Sequence, residues 1–272
     1  MKQRTRGHRR RRWVGLALAI VVASGIGVYL WGRQYRARPV TLEEARDRLT
    51  EVPAAASDQE GRPALGVYEY AGSGTDRLSP PSLSQSQGPT IPGTVEPLAN
   101  GCWRFRVDYS TNHWQSSDYC RTGAGIEEVA GETFQRWVIG AAPVDNTTTT
   151  TCADGALYLP TRPAQALTWR SSCDIANDLV KGKTVSSGST RYIGTARLKV
   201  GGTTVDTVHL RRVRTLSGGQ DGTETIDLWV LADTGLPVRN RRTIDLTTST
   251  PIGDSHYTER GEFQLQSLAP TS

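Results

Sequence analysis

Between Trp13 and Trp31 the chain reads WVGLALAIVVASGIGVYLW, roughly 19 positions without a charge. At 1.5 Å per helical residue that is about 28 Å, the thickness of a membrane's hydrocarbon core. From Gly66 onward the pattern changes to short runs of alternating apolar and polar residues, broken at Gly, Pro, Asn and Asp. Alternation with such punctuation predicts strands, and almost nothing here repeats at the helical period. The clearest runs are RYIGTARLKV, TTVDTVHLRRV, TETIDLWVLA, VRNRRTIDLTTS and HYTERGEFQLQSL, separated by Gly201-Gly202, SGGQDG, ADTGLP and TPIGD. Strands joined by turns of this chemistry form an antiparallel meander. In TETIDLWVLA, Ile226, Leu228 and Val230 alternate with Asp227, Trp229 and Leu231, so one face is uniformly apolar. Such a face is covered by curling the sheet or by other elements. The predicted fold is therefore mainly β: an N-terminal transmembrane helix followed by a curved antiparallel sheet or half-barrel.

Between these regions lies TLEEARDRL, where Thr41 and Glu44 have the spacing of a capping box, so a short helix begins at Thr41. Pro53 and the run AAASDQEGRP end it, and the residues up to about Pro63 read as a stalk. The Ser-, Pro- and Gly-rich segment SGTDRLSPPSLSQSQGPTIPG reads as a surface loop beside an edge strand, with a lid over a cavity as the alternative. The expected organisation is a basic tail over 1–12, a transmembrane helix over 13–31, a short helix and stalk over 32–65, and a β-rich domain over 66–272.

Charge fixes an orientation for this scheme. Lys2, Arg4, Arg6, Arg9, Arg10, Arg11, Arg12, Arg33, Arg36 and Arg38 precede any acid. Removing these ten from 32 basic residues leaves 22 against 27 acidic ones, a net charge of about −5 for the remainder. A basic nucleic-acid-binding domain is thus excluded as a reading. Seven basic residues precede the apolar span and three follow it, which places the N-terminus in the cytoplasm and the β domain outside the plasma membrane. Trp13, Tyr29 and Trp31 suit the interfaces. A cleavable signal peptide competes, since Ala23, Ser24 and Gly25 are small, but the apolar run continues past them. The tail reads as a topology determinant held by anionic lipid, with docking to a cytoplasmic partner as the alternative.

Cys102, Cys120, Cys152 and Cys173 are an even set in the expected exported part, which points to disulfides. A hairpin turning at Ser110, Thr111 and Asn112 puts Thr111 midway between Cys102 and Cys120, setting them opposite each other, with Trp103 opposite Tyr119. Cys152 then pairs with Cys173 by elimination. Zinc is a poor alternative, because no two cysteines have the close spacing of a zinc knuckle.

Candidate chemistry is sparse. His113, His209 and His256 are the histidines of the exported part and the available general bases. No G-x-S-x-G nucleophile elbow exists, and GSGTD and GGQDG lack the lysine and following helix of a phosphate loop. Asp221 and Glu224 do not form an EF-hand series. No catalytic residue, cofactor-binding residue or metal ligand is assigned. Trp103, Trp114, Trp137, Trp169 and Trp229 serve core packing or line a cavity, with Trp229 as the candidate lining residue.

The segments KVGGTTVDTVHL, GLPVR after WVLADT, and TPIGDSHYTER, with GVYEY and GCWRF upstream, resemble uncharacterised single-pass envelope proteins of high-GC Gram-positive bacteria. More distantly, the meander resembles the half-barrels of lipoprotein carriers such as LolA and LppX, which shelter acyl chains in an apolar concavity. This second resemblance implies a lipid-like ligand, yet an anchored chain is a tethered acceptor, sensor or scaffold rather than a shuttle. The expected role is non-enzymatic binding of a lipid-like ligand or an envelope protein. An envelope hydrolase acting on lipid or peptidoglycan, with one of the three histidines as base, is the alternative. An apolar cavity would favour the lipid, and a filled core the protein.

Overall fold

The computed structural model describes residues 35–49, 61–140, 142–163, 167–250 and 253–271. The basic tail and the apolar span Trp13–Trp31 lie outside them. Among the described residues no helix is long and apolar enough to cross a membrane.

Among the described residues, thirteen strands follow a short helix. They are β1 (Gly66–Ser79), β2 (Leu83–Gln87), β3 (Thr90–Pro97), β4 (Trp103–Ser110), β5 (His113–Arg121), β6 (Gly125–Ile139) and β7 (Ala142–Pro160). The series continues with β8 (Thr168–Asn177), β9 (Thr184–Val200), β10 (Thr203–Gly218), β11 (Asp221–Val230), β12 (Pro237–Thr250) and β13 (Gly253–Leu265). From β3 to β13 each strand neighbours the next, as the meander predicts. The far ends of β6 and β7, between residues 136 and 144, group with Tyr35 and Arg36 in a separate unit, and the other described residues make up the body.

The half-barrel expectation needs correction, because the sheet closes. β13 pairs with β1 from Tyr70↔Leu265 to Ser79↔His256, turning the meander into a twelve-stranded antiparallel barrel with β2 added beside β1. The segment read as a loop supplies the missing strands. Ser73 to Ser79 extend β1, and Leu83 to Gln87 return along it as β2. Its composition misleads for a physical reason: Asp76, Gln85 and Gln87 share the inward side there, so these strands carry polar residues on both faces.

Inside, alternation places Tyr70, Phe105, Val107, Val208, Leu210, Ile226, Leu228, Phe263 and Leu265 in one apolar core. Trp103 belongs to it, tilted against Tyr119 with ring centres 5.9 Å apart. The β9–β10 hairpin reaches across to β13, where Gln264 Nε2 donates to Lys199 O at 3.0 Å, and Val200 at its tip joins the core. Outside, β10 to β13 carry Arg211, Asp227, Arg239, Arg241 and Glu262, a charged face unlike the lipid-facing side of a membrane barrel.

Helix α1 (Leu42–Asp47) starts where the capping box predicts: Thr41 Oγ1 accepts from Glu44 N–H at 3.1 Å and Glu44 Oε2 accepts from Thr41 N–H at 3.0 Å. Six residues do not hold a helix alone. Here Val40 and Ala45 are buried, and Arg48 Nη2 donates to Asp108 Oδ2 at 2.5 Å, docking the helix on the barrel wall. Both disulfides have the predicted pairing, each with Cα atoms 4.3 Å apart, the distance of directly opposed residues in antiparallel strands. Trp103 lies opposite Tyr119 as expected, but the turn is only Thr111-Asn112, and an irregularity between Asp108 and Ser110 absorbs the odd residue. Each bridge contributes about 2–4 kcal/mol by restricting the unfolded chain.

Candidate functional site

The apolar lining does not run the length of the barrel. On β10 the inward positions Val208 and Leu210 are followed by Arg212 and Arg214, and on β11 Ile226 is preceded by Glu224. The same parity brings Arg242 from β12, Glu259 from β13 and Asp76 from β1 into the interior. This layer is sealed, with Asp76 and His113 at 0% exposure and Glu259 at 2%.

Asp76 and Glu259 stand directly opposite each other across the closing β1–β13 seam. Gln87 Nε2 bridges them, donating to Asp76 Oδ1 at 2.8 Å and to Glu259 Oε1 at 3.1 Å. Its side chain crosses Gly74 and Gly261, paired on the inward side of the seam, and a methyl group at either would collide with Gln87 Oε1. Arg242 donates through Nε to Glu259 Oε1 at 3.0 Å and through Nη1 to Gln115. The Tyr257 hydroxyl donates to Glu259 Oε2 at 2.8 Å. His113 Nδ1 lies 2.9 Å from Asp76 Oδ2, while its Nε2 has no partner. Burial pushes the Glu259 carboxyl up, but the charges of Arg242 and His113 and the bonds from Arg242 and Gln87 outweigh it and hold it below the usual carboxylate range.

A second group sits alongside. Arg212 Nη1 donates to Glu128 Oε2 at 2.8 Å, Ser117 Oγ to Glu128 Oε1 at 2.9 Å, and Arg214 lies 3.9 Å from the same carboxylate. Burial raises the Glu128 carboxyl, and the two guanidiniums with these bonds bring it below its ordinary value. Beside both groups, a cavity of about 50 Å³ is lined by Tyr109, Gln115, Ser117, Arg212, Asn240 and Arg242 among others. It has room for a few waters, far below the roughly 300 Å³ at which ligand pockets begin.

Trp229 is not among the lining residues of this cavity. It faces outward, stacked on His209 with ring centres 4.2 Å apart, and Arg239 lies over its ring at 5.3 Å. His209 Nε2 is 2.9 Å from Asp227 Oδ1. His256 lies between Asp245, 3.5 Å from its Nε2, and Thr247 Oγ1, 3.3 Å from its Nδ1. That trio has the membership of a catalytic triad, but His256 and Asp245 are largely exposed, with no enclosed site around them. Asp221 and Glu224 turn to opposite faces, Glu224 toward Arg212. On the opposite wall, a recess of about 370 Å³ between α1 and β3 to β6 is lined by Arg48, Thr94, Glu96, Arg104, Arg106, Trp114 and Glu132, among others. Arg106 packs over Trp114 at 3.9 Å, and Arg104 grips Asp118 at 2.6 and 2.9 Å.

No protein-family model, curated protein or solved structure matches the chain.

The sequence reading brought His113 forward and missed Asp76, Gln87, Arg242 and Glu259. A signal existed for the neighbouring group: extending the apolar parity of Leu210 or Ile226 along its own strand lands on Arg212, Arg214 and Glu224, which marks a charged interior. Nothing local marks Asp76, whose neighbours read as loop.

Proposed function

We propose that the chain is a membrane-tethered, extracytoplasmic β-barrel without enzymatic activity, which binds an envelope protein on its outer wall. The observation that carries this reading is the filled interior. A cavity of about 50 Å³, apolar on the side of Phe105, Ile226, Leu228 and Phe263 and closed by ion pairs on the other, is too small to take an acyl chain. Two disulfides accord with an oxidising compartment. The recess under α1 is the favoured contact region. There Glu96 and Glu132 carry no hydrogen bond or ion pair to the described residues, whereas the arginines Arg48, Arg104 and Arg106 are engaged by Asp108 and Asp118.

Mass spectrometry of organic extracts tests the reading on residues 39–272 secreted without detergent. No stoichiometric lipid is expected, and a lipid at one per chain would return the assignment to a carrier. The hydrolase alternative draws on the Asp245, His256 and Thr247 trio. His256→Ala is expected to leave the chain's physiological role intact, and its loss would favour that alternative.

A further inference from the structure

Asp76 and Glu259 pose an electrostatic problem at the seam. Like charges directly opposed in a sheet repel, and burial magnifies the cost of a carboxylate without a counter-charge. Glu259 has Arg242. The contacts of Asp76 are Gln87, His113 and Tyr257, none of them a permanent cation. Among the described interior residues, Asp76, Glu128, Glu224 and Glu259 face Arg212, Arg214 and Arg242, so Asp76 has no counter-charge other than the His113 imidazole.

We propose that Asp76, His113 and Glu259 form a structural site for a first-row divalent cation, zinc or manganese, which pins β1, β5 and β13 together at the seam. Their donor atoms lie within 4.8 Å of one another, a span compatible with ligands each about 2.0–2.2 Å from a shared ion. One imidazole with two carboxylates is a nitrogen and oxygen set, which suits these ions better than a soft one. His113 Nδ1, 2.9 Å from Asp76 Oδ2, is the ring nitrogen that faces the carboxylates and would take the ion in place of that contact. Gln87 and Tyr257 donate to the same carboxylates, Gln87 Nε2 bridging the two, and so orient them as hydrogen-bond partners orient metal ligands. The ion's charge exceeds the single negative charge of Asp76, so coordination, not charge balance alone, retains it.

Elemental mass spectrometry of the full chain, purified in mild detergent without chelators, tests the site directly. About one equivalent of zinc or manganese per chain is expected. Unfolding in chelator with the disulfides intact, then refolding with and without the metal salt, should separate the melting midpoints by about 5 °C or more. His113→Ala and Asp76→Asn should abolish both the metal content and the shift. Should these variants fail to fold, the response of the unaltered chain decides alone. A chain isolated without metal, whose midpoint ignores zinc and manganese, overturns the proposal, as does equal binding by a folded His113→Ala variant. Neither outcome bears on the outer-wall reading.

Discussion

Along β10, Val208 and Leu210 point into the apolar half of the barrel, and further along the same strand, at the same parity, Arg212 and Arg214 point into the charged half. One backbone pattern thus serves two kinds of interior. The apolar half is held by contact area and tolerates exchange of side chains of similar volume. The charged half is held by matched partners, each useful only while the others remain. A closed barrel can therefore be filled by shape at one end and by charge at the other, and the two ends should fail differently.

The largest contrast should come from Arg242→Ala, which strands Glu259 in the interior. A loss of about 3–5 kcal/mol in urea unfolding is expected, and Arg242→Lys should recover little of it, because an ammonium cannot replace the two-nitrogen grip on Glu259. In the apolar half, Leu210→Ala should cost about 2–5 kcal/mol, while Leu210→Met should cost under about 1.5 kcal/mol. If Arg242→Lys were tolerated as well as Leu210→Met, the distinction between the halves would collapse.

Acid should separate them next. The Glu128 and Glu259 carboxyls lie below their ordinary values when folded, so the unfolded chain binds more protons as the pH falls. Their contribution is complete above about pH 4.5 and is lost on acidification through the lowered folded values. Melting midpoints followed from pH 7 to pH 2 should fall below about pH 4.5, and the fall should be shallower in Arg242→Ala, where Glu259 has lost its main partner. Smallest is the effect outside the barrel. Thr41→Ala removes the cap of α1 and should cost about 1 kcal/mol, with the loss confined to amide exchange of the helix and its contact at Arg48.

The legibility of the sequence follows the same division. Where one face is apolar and the other polar, as in Ile226 to Val230, alternation shows the strand and its facing. The register of Cys102 with Cys120 was readable because a single hairpin holds it, and Thr41 with Glu44 because a cap is local. Closure was not readable, since Tyr70 and Leu265 are paired by no turn and the strand that completes the pairing carries Asp76 where an apolar residue would have marked it. The carboxylates, imidazole and guanidinium of the seam come from four strands, so no spacing along the chain announces them.

The last described residues return to the first strand: Thr271 N–H donates to Val67 O at 2.7 Å and Thr271 Oγ1 to the same oxygen at 2.9 Å. The barrel is thus a ring in which the place of chain entry is a matter of genetic order and not of architecture. Joining Gly66 to Thr271 by a short linker and opening the chain at Gly218-Gly219, between β10 and β11, would rotate that order while keeping every strand neighbour. What such a permuted chain would change is the order of assembly, because the β1–β13 contact, now spanning nearly the whole domain and closing against the full loop entropy, would become a hairpin.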